Sequence, residues 1–455
     1  MPRRHPLLLL ALIAASIYPS PHAALAAPHA VMLYKYAEEP VVAVNPRHPS
    51  SVAVATIGGP AVGKSYPIGF YSSHDRGRTF TARPTPLPLP YIYAADPSIG
   101  FATNGTVFVS YLVESPTYCN GPAGSGGIIV AASRNGGKTF RPPTVVDVNS
   151  SDDKPYMAVE SVPGHLSHIF VAWTRSENRQ QIVLSRSTDG GVSFSPPQVL
   201  AELPLSENGA FPVVGPKGHV YVFWSALAEP SNNTLTGKGQ IFMSASSNDG
   251  ASFGPARSIA GPFTSVPRMV DPERLRSITY PSAAVARDGR LYVTWAAVSR
   301  ELTHAVVTSD IMLSSSGDFG KRWNKPMPVN DVQTADRFLP SVTALSDGSV
   351  GLAFYDRRNS SEQLDVYAAR ARFKGGFHVS RNVQVNDVPT RVTDIYEAKP
   401  GQSACYSPGR FFGDYLGLAA GQGHHMFVTW GAAQLHVYGQ TEVWLSRVAL
   451  PGKYR

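Results

Sequence analysis

An eight-residue pattern, Ser-x-Asp/Asn-x-Gly-x-x-aromatic, recurs five times in this 455-residue chain. The copies begin at Ser73, Ser133, Ser187, Ser246 and Ser316 and end at Phe80, Phe140, Phe194, Phe253 and Trp323. Their glycines, Gly77, Gly137, Gly191, Gly250 and Gly320, lie 60, 54, 59 and 70 residues apart, room for one four-stranded sheet per repeat. The pattern describes a tight turn. The Asp or Asn side chain accepts hydrogen bonds from backbone N–H groups across the turn, the glycine takes a positive φ, and the aromatic packs beneath. With 39 prolines, 40 glycines and only 16% charged residues, the chain has many turns and little material for long helices or disorder.

A second repeat runs in phase with the first. Each turn is preceded by an apolar strand, a short turn and an alternating strand that ends in an aromatic, as in Asn104-Gly105 followed by Val107–Tyr111, or Asp288-Gly289 followed by Leu291–Trp295. The terminal aromatics Tyr111, Trp173, Trp224, Trp295, Tyr355 and Trp430 are expected to pack between sheets. First strands fall near Pro40, Pro97, Pro155, Phe211, Pro281, Pro340 and Phe412, which gives seven units. The last unit lacks an outer strand, and the N-terminal stretch Ala30–Tyr36 is a spare one. The expected fold is all-β, a single β-propeller of seven blades closed by the N-terminal strand, with six blades as the alternative.

The first residues read as a signal peptide over 1–26. Arg3 and Arg4 precede an apolar run from Leu7 to Ile17, and Ala24-Leu25-Ala26 closes the segment. The run is too short to span a bilayer, which needs about 20 apolar residues. The remaining segment, 27–455, is expected to be one exported domain, periplasmic or secreted, without a membrane span and monomeric. Without Arg3 and Arg4 the formal charge falls from +8 to +6, mild for this length, and no basic run accompanies it, so nucleic acid is not an expected partner. Cys119 and Cys405 are the only cysteines; a disulfide and two free thiols are both compatible with their loops.

The eight-residue turns, for example Ser187-Thr188-Asp189-Gly190-Gly191-Val192-Ser193-Phe194, resemble the Asp-box or bacterial neuraminidase repeats. The chain is identified over roughly 40–450 as similar to the sialidase-like propeller superfamily. That resemblance implies a propeller, a glycan ligand and, in sialidases, three arginines on the sugar carboxylate, a Tyr nucleophile activated by Glu, and an Asp acid/base. This chain has no Phe/Tyr-Arg-Ile-Pro segment near its start, and its nearest N-terminal arginine, Arg47, lies in a hairpin turn. The sialidase catalytic set therefore does not carry over residue by residue.

Loops entering the first strands and leaving the second strands of a propeller surround one mouth of its channel, and the eight-residue turns lie on the other face. Asp96-Pro97, Asp153-Lys154-Pro155, Tyr280-Pro281, Asp336–Pro340 and Arg410–Tyr415 precede the first strands. The recurring Asp before Pro suits a turn, so Asp96 reads as scaffold. Side chains that break the series are the site candidates. Lys154, Arg337 and Arg410 would bind an acidic group, with Arg357 and Arg358 read as structural. Asp153, Asp336 or Asp414 would serve as general acid or base. Tyr415 is the candidate nucleophile, with Glu114 or Glu397 as its base. No metal-ligand spacing and no cofactor motif stands out. Two functions follow: a sialidase-like hydrolase of acidic glycans, or a non-catalytic propeller that binds a glycan or protein at the mouth. A hydrolase brings Arg337, Arg410 and an acid into one pocket; a binding scaffold pairs them off around the rim. The long connections Thr264–Ser277 and Thr390–Arg410 are expected to contribute to the site.

Overall fold

The computed structural model describes residues 30–115, 126–149, 151–161, 166–177, 179–228, 237–270, 274–301, 307–395, 397–398, 409–433 and 441–455. The proposed signal peptide, Cys119 and Cys405 lie outside the described residues. Among the described residues, seven antiparallel sheets follow one another along the chain, each built on a four-strand path. The first contains Glu38–Val44, Val52–Ile57, Gly69–Ser73 and Thr81–Pro84. The next five begin with Tyr93–Phe101, Asp152–Glu160, Ser206–Val214, Ser282–Val285 and Arg337–Ala344. The last joins Gly417–Ala420, His425–Ala432 and Glu442–Ala449 to the N-terminal strand Val31–Lys35, which pairs antiparallel with Glu442–Ala449. First strands lie side by side in chain order, and Gly417–Ala420 lies against Glu38–Val44. The arrangement is that of a β-propeller.

Packing follows from covering both faces of each sheet. Val107–Glu114 is buried at all positions but its last, although its sequence alternates only weakly, because a neighbouring sheet sits on either side. The terminal aromatics Tyr111, Trp173, Trp224, Trp295, Tyr355 and Trp430 are at most 2% exposed. Each buries roughly 150–250 Å², worth up to about 4–6 kcal/mol of transfer free energy.

The repeated turns supply a second between-sheet contact. In each one the serine Oγ accepts the glycine N–H, at 2.9 Å from Gly77, Gly137 and Gly191 and 3.0 Å from Gly250 and Gly320. Asp75 Oδ1 accepts from the N–H groups of Arg78 and Thr79 at 2.9 Å each. The Thr79 hydroxyl, donating to Asp75 Oδ2 at 2.6 Å, and these N–H groups hold the Asp75 carboxyl well below the usual carboxylate range. Each turn glycine then rests on the preceding sheet: Gly137 on Phe70, Gly191 on Phe108, Gly250 on Phe170, Gly320 on Met243. Gly77 of the first sheet rests on Phe427 and Leu445 of the last.

The first strands differ from the sequence expectation at their mouth ends. Asp96-Pro97 and Lys154-Pro155 were expected in entering loops; they lie inside strands, at bulges where the pairing register shifts. The same bulge recurs at Glu39-Pro40, Gly209-Ala210 and Leu339-Pro340. Proline suits the unpaired bulge position because it has no N–H to leave unsatisfied. Two long connections meet over the mouth in a small extra sheet: Leu275–Arg276 pairs antiparallel with Met269–Val270 and parallel to Arg410, and Gly409–Arg410 pairs with Glu397–Ala398.

Gly137 has φ 83°, and a Cβ there would overlap the Phe70 ring; Gly375 has φ 69° with open space around it. Gly137→Ala is expected to cost about 2–3 kcal/mol in urea unfolding, against about 1 kcal/mol for Gly375→Ala. Equal costs for the two variants would remove the docking role of the turn.

Candidate functional site

Three successive bulges deliver charge to the mouth. Glu39, Asp96 and Lys154 each sit in the left-handed region, with φ of 50°, 50° and 53°. Such backbone costs about 1–3 kcal/mol per residue and persists only where the surroundings enforce it. Here the three side chains converge. Lys154 Nζ lies 2.7 Å from Asp96 Oδ1, 3.0 Å from Glu39 Oε1 and 3.0 Å from Asp414 Oδ2, with all four side chains at most 8% exposed. Asp414 also takes Arg276 in a two-pronged pair, Nε to Oδ1 at 2.8 Å and Nη2 to Oδ2 at 2.7 Å, and its N–H donates to Glu39 Oε1 at 3.1 Å. First strands of three sheets, the segment before the last sheet and the sheet over the mouth are thereby tied through one ammonium group.

Carboxylates outnumber cations in this cluster, which splits their protonation states. Burial pushes Asp153 up to about 6, helped by the negative charge of Asp96. Burial and Asp414 push Glu38 up to about 7; burial with Asp96 and Asp153 does the same for Glu114. Burial raises Glu39 as well. Burial also works against ionised Asp96, but Lys154 and hydrogen bonds from Glu39, Lys154 and Asp153 bring it down to about 2. Lys154 stays charged because Asp414, Asp96 and Glu39 outweigh its desolvation. Paired groups driven apart in this way are the raw material of acid–base chemistry.

Two cavities adjoin the cluster and share Tyr280. The first, about 140 Å³, lies among the first strands along the axis, lined by Tyr156, Phe211, Tyr280, Asp414 and Tyr415. The second, about 300 Å³, opens beneath the extra sheet and is lined by Asp153, Gln180, Asn208, Arg268, Arg276 and Tyr280 among others. Its charged lining is two arginines against one carboxyl that is neutral below about pH 6. A polar cavity with fixed donors and a proton-bearing acid suits an anionic, hydroxyl-rich ligand.

Of the residues singled out in the sequence, Asp153, Lys154, Asp414 and Tyr415 come together here, and others do not. Arg337, expected at the mouth as an anion ligand, is fully buried within its own sheet. Its Nε donates to Asp356 Oδ2 at 2.7 Å and its Nη1 to the carbonyls of Ala335 and Ser309. Asp336 is tied to Arg357 at 3.0 Å. Arg410 is half-buried in the extra sheet, donating to Ile395 O at 2.7 Å and pairing with Glu397 at 3.3 Å. Lys154 binds three carboxylates, so it organises the cluster and does not serve as an anion ligand. Tyr415 lines the axial cavity and donates to Pro97 O at 3.3 Å. Burial and the charges of Glu39 and Asp96 push its phenol well up, the reverse of what a nucleophile needs.

Glu38, Glu39, Arg268 and Arg276 were missed. Glu39-Pro40 was legible as the first member of the series continued by Asp96-Pro97 and Lys154-Pro155. Arg268 and Arg276 carried no signal beyond lying in the long Thr264–Ser277 connection. On the opposite face, Glu160, His168 and Asp249 bring one ligand-type atom each within 4.8 Å of one another, a grouping that sequence spacing does not reveal.

A model of the BNR repeat-like domain matches residues 33–293. The chain belongs to this BNR repeat-like family. No curated protein sequence matches it. Among solved structures, an ulvan lyase is 10% identical, with 93% of this chain and 98% of that one covered at a TM-score of 0.51. A leech intramolecular trans-sialidase is 10% identical, covering 91% and 68% at 0.45. A Penicillium chrysogenum alpha-L-arabinanase is 13% identical, covering 72% and 94%, also at 0.45. At these identities the likeness is one of fold.

Lys154→Met would leave Glu39, Asp96 and Asp414 facing one another without their cation. A loss of about 3–5 kcal/mol is expected in denaturant unfolding at pH 7. A loss under 1 kcal/mol would mean that the cluster does not hold the sheets together.

Proposed function

We propose that this protein is an exported glycan hydrolase acting on an acidic sugar in the cavity beneath the extra sheet. The carrying observation is that one cavity joins Asp153, protonated up to about pH 6, to Arg268 and Arg276. Arg268 and Arg276 take the sugar's carboxylate or sulfate; two of the Arg276 nitrogens are committed to Asp414, which fixes the plane of its guanidinium. Asp153 donates its proton to the leaving glycosidic oxygen as the C–O bond breaks. Asp96, ionised beside it, keeps that proton on Asp153 until the leaving oxygen takes it. Once the leaving group has gone, the Asp153 carboxylate accepts a proton from the attacking water, whose oxygen forms the new bond to the anomeric carbon. The ulvan lyase neighbour is bound to -[GlcA(1-4)Rha3S]-, an acidic glycan, which supports this substrate class.

The second reading, a propeller that binds glycan without cleaving it, is favoured by one observation: Arg337 and Arg410 are paired off with Asp356 and Glu397. A panel of fluorogenic glycosides that includes a sialoside and a uronide separates the readings. Turnover of an acidic glycoside is expected, with kcat falling as pH rises through about 6, when Asp153 loses its proton. Asp153→Asn should lower kcat at least ~100-fold, and Arg268→Met should raise KM with little change in kcat. No turnover of any glycoside, with glycan binding retained, leaves the binding reading.

Closure of the seven sheets as seven blades of one ring belongs to the same proposal, supported by Val31–Lys35 on Glu442–Ala449 and by Gly77 on Phe427. So do cleavage of the leader near Ala26 and a monomeric mature chain. Intact mass and sedimentation of the protein recovered from periplasm or medium are expected to give a monomer beginning at residue 27. A chain that stays inside the cell with residues 1–26 attached would end the export reading.

A further inference from the structure

Tyr66 and Tyr93 form an exposed stacked pair beside the mouth. Their rings are parallel within 5°, with centroids 5.3 Å apart, and the residues are 54% and 40% exposed. The backbone fixes the pair: Tyr66 N donates to Ile92 O at 2.7 Å, and Ala94 N donates to Tyr66 O at 3.0 Å. Parallel rings this close overlap in an offset stack, so the exposed pair offers a ligand an outer ring face.

Position gives the surface its meaning. Tyr93 opens the first strand of the second sheet and pairs with Glu114. Asp96 lies three residues further along that strand, about 10 Å at the rise of an extended chain. The tyrosine pair therefore flanks the carboxyl cluster on the side of Asp96 and Glu114, at a distance that a short run of sugar units bridges. A pyranose presents C–H bonds on its flatter side, and the negative π face of tyrosine attracts them while the phenol oxygen meets the hydroxyls. A pre-ordered platform of this kind costs little entropy on binding. Two rings are far smaller than the ~800 Å² per partner of a stable protein interface.

We infer that Tyr66 and Tyr93 form a stacking subsite for a sugar unit of a polymeric glycan whose scissile unit sits at the cavity of Asp153. The inference rests on the glycan-processing reading, so its test includes a binding readout that needs no turnover.

The test compares wild type with Tyr66→Ala/Tyr93→Ala and with Tyr66→Phe/Tyr93→Phe in native gels containing polygalacturonate, alginate or dextran. Wild type is expected to be retarded by at least one of these polysaccharides. The alanine pair should lose most of that retardation and the phenylalanine pair should keep it. Where a polymer and a small aryl glycoside are both cleaved, the alanine pair should raise KM at least 10-fold on the polymer and less than 2-fold on the small substrate. Wild type retarded by none of the three, or alanine variants retarded like wild type, overturns the subsite. Loss of self-association in the alanine pair with retardation unchanged would make the rings a contact between copies, which also overturns it. Retardation that depends on the tyrosines without any turnover keeps the subsite and removes the hydrolase.

Discussion

The Lys154 ammonium is bound by carboxylates from separate parts of the chain: Glu39 in the first sheet, Asp96 in the second, and Asp414 just before the last. Burying one cation among several carboxylates is favourable only when the geometry satisfies nearly all of them, since each unpaired charge would cost several kcal/mol. The φ values of Glu39, Asp96 and Lys154 belong to the bulge the sheets share, since uncharged Leu339 has φ 50° at the same place, and the cluster uses that bulge. The bulges turn these side chains toward one point that regular strands would not reach.

The same cluster sets the chemistry of the mouth. Lys154 draws Asp96 into its ionised form, and ionised Asp96 helps hold Asp153 in its protonated form. Asp414 spends its charge on Arg276, whose guanidinium forms part of the cavity wall. Stability and the division of protons are therefore set by the same few residues. Burial, and then the charges of Glu39 and Asp96, explain why Tyr415, although central, is held as a neutral phenol. A nucleophile of its kind would need a neighbour able to accept its proton, and the acids around it, Glu39 among them, are either pushed toward the protonated form or committed to Lys154.

The sheet pattern was readable because it is local. Ser73-x-Asp75-x-Gly77 makes its own hydrogen bonds within five residues, so its recurrence reports a structural unit directly. The strand aromatics were equally legible, since Trp173 or Trp295 ending an alternating strand has few places to go except the core. Arg337 misled because a charged residue entering a strand looks exposed in sequence, whereas Asp356 on the neighbouring strand and two carbonyls accept it in full burial. Arg276 and Arg410 are both arginines in long connections, and nothing local separates the one that lines the cavity from the one that ties down Glu397.

By itself the sequence determined the all-β repeat architecture, the between-sheet role of the aromatics, and the stretch around Asp153 and Lys154 as a place where the repeat is broken. Only the tertiary structure decided which charges meet. Glu39, Asp96, Lys154, Arg276 and Asp414 span nearly the whole chain, and their electrostatics depend on separations of about 3 Å that no sequence interval encodes. Turn chemistry acts over a few residues and leaves a local signature; Coulomb pairing in a buried site acts through space and leaves none.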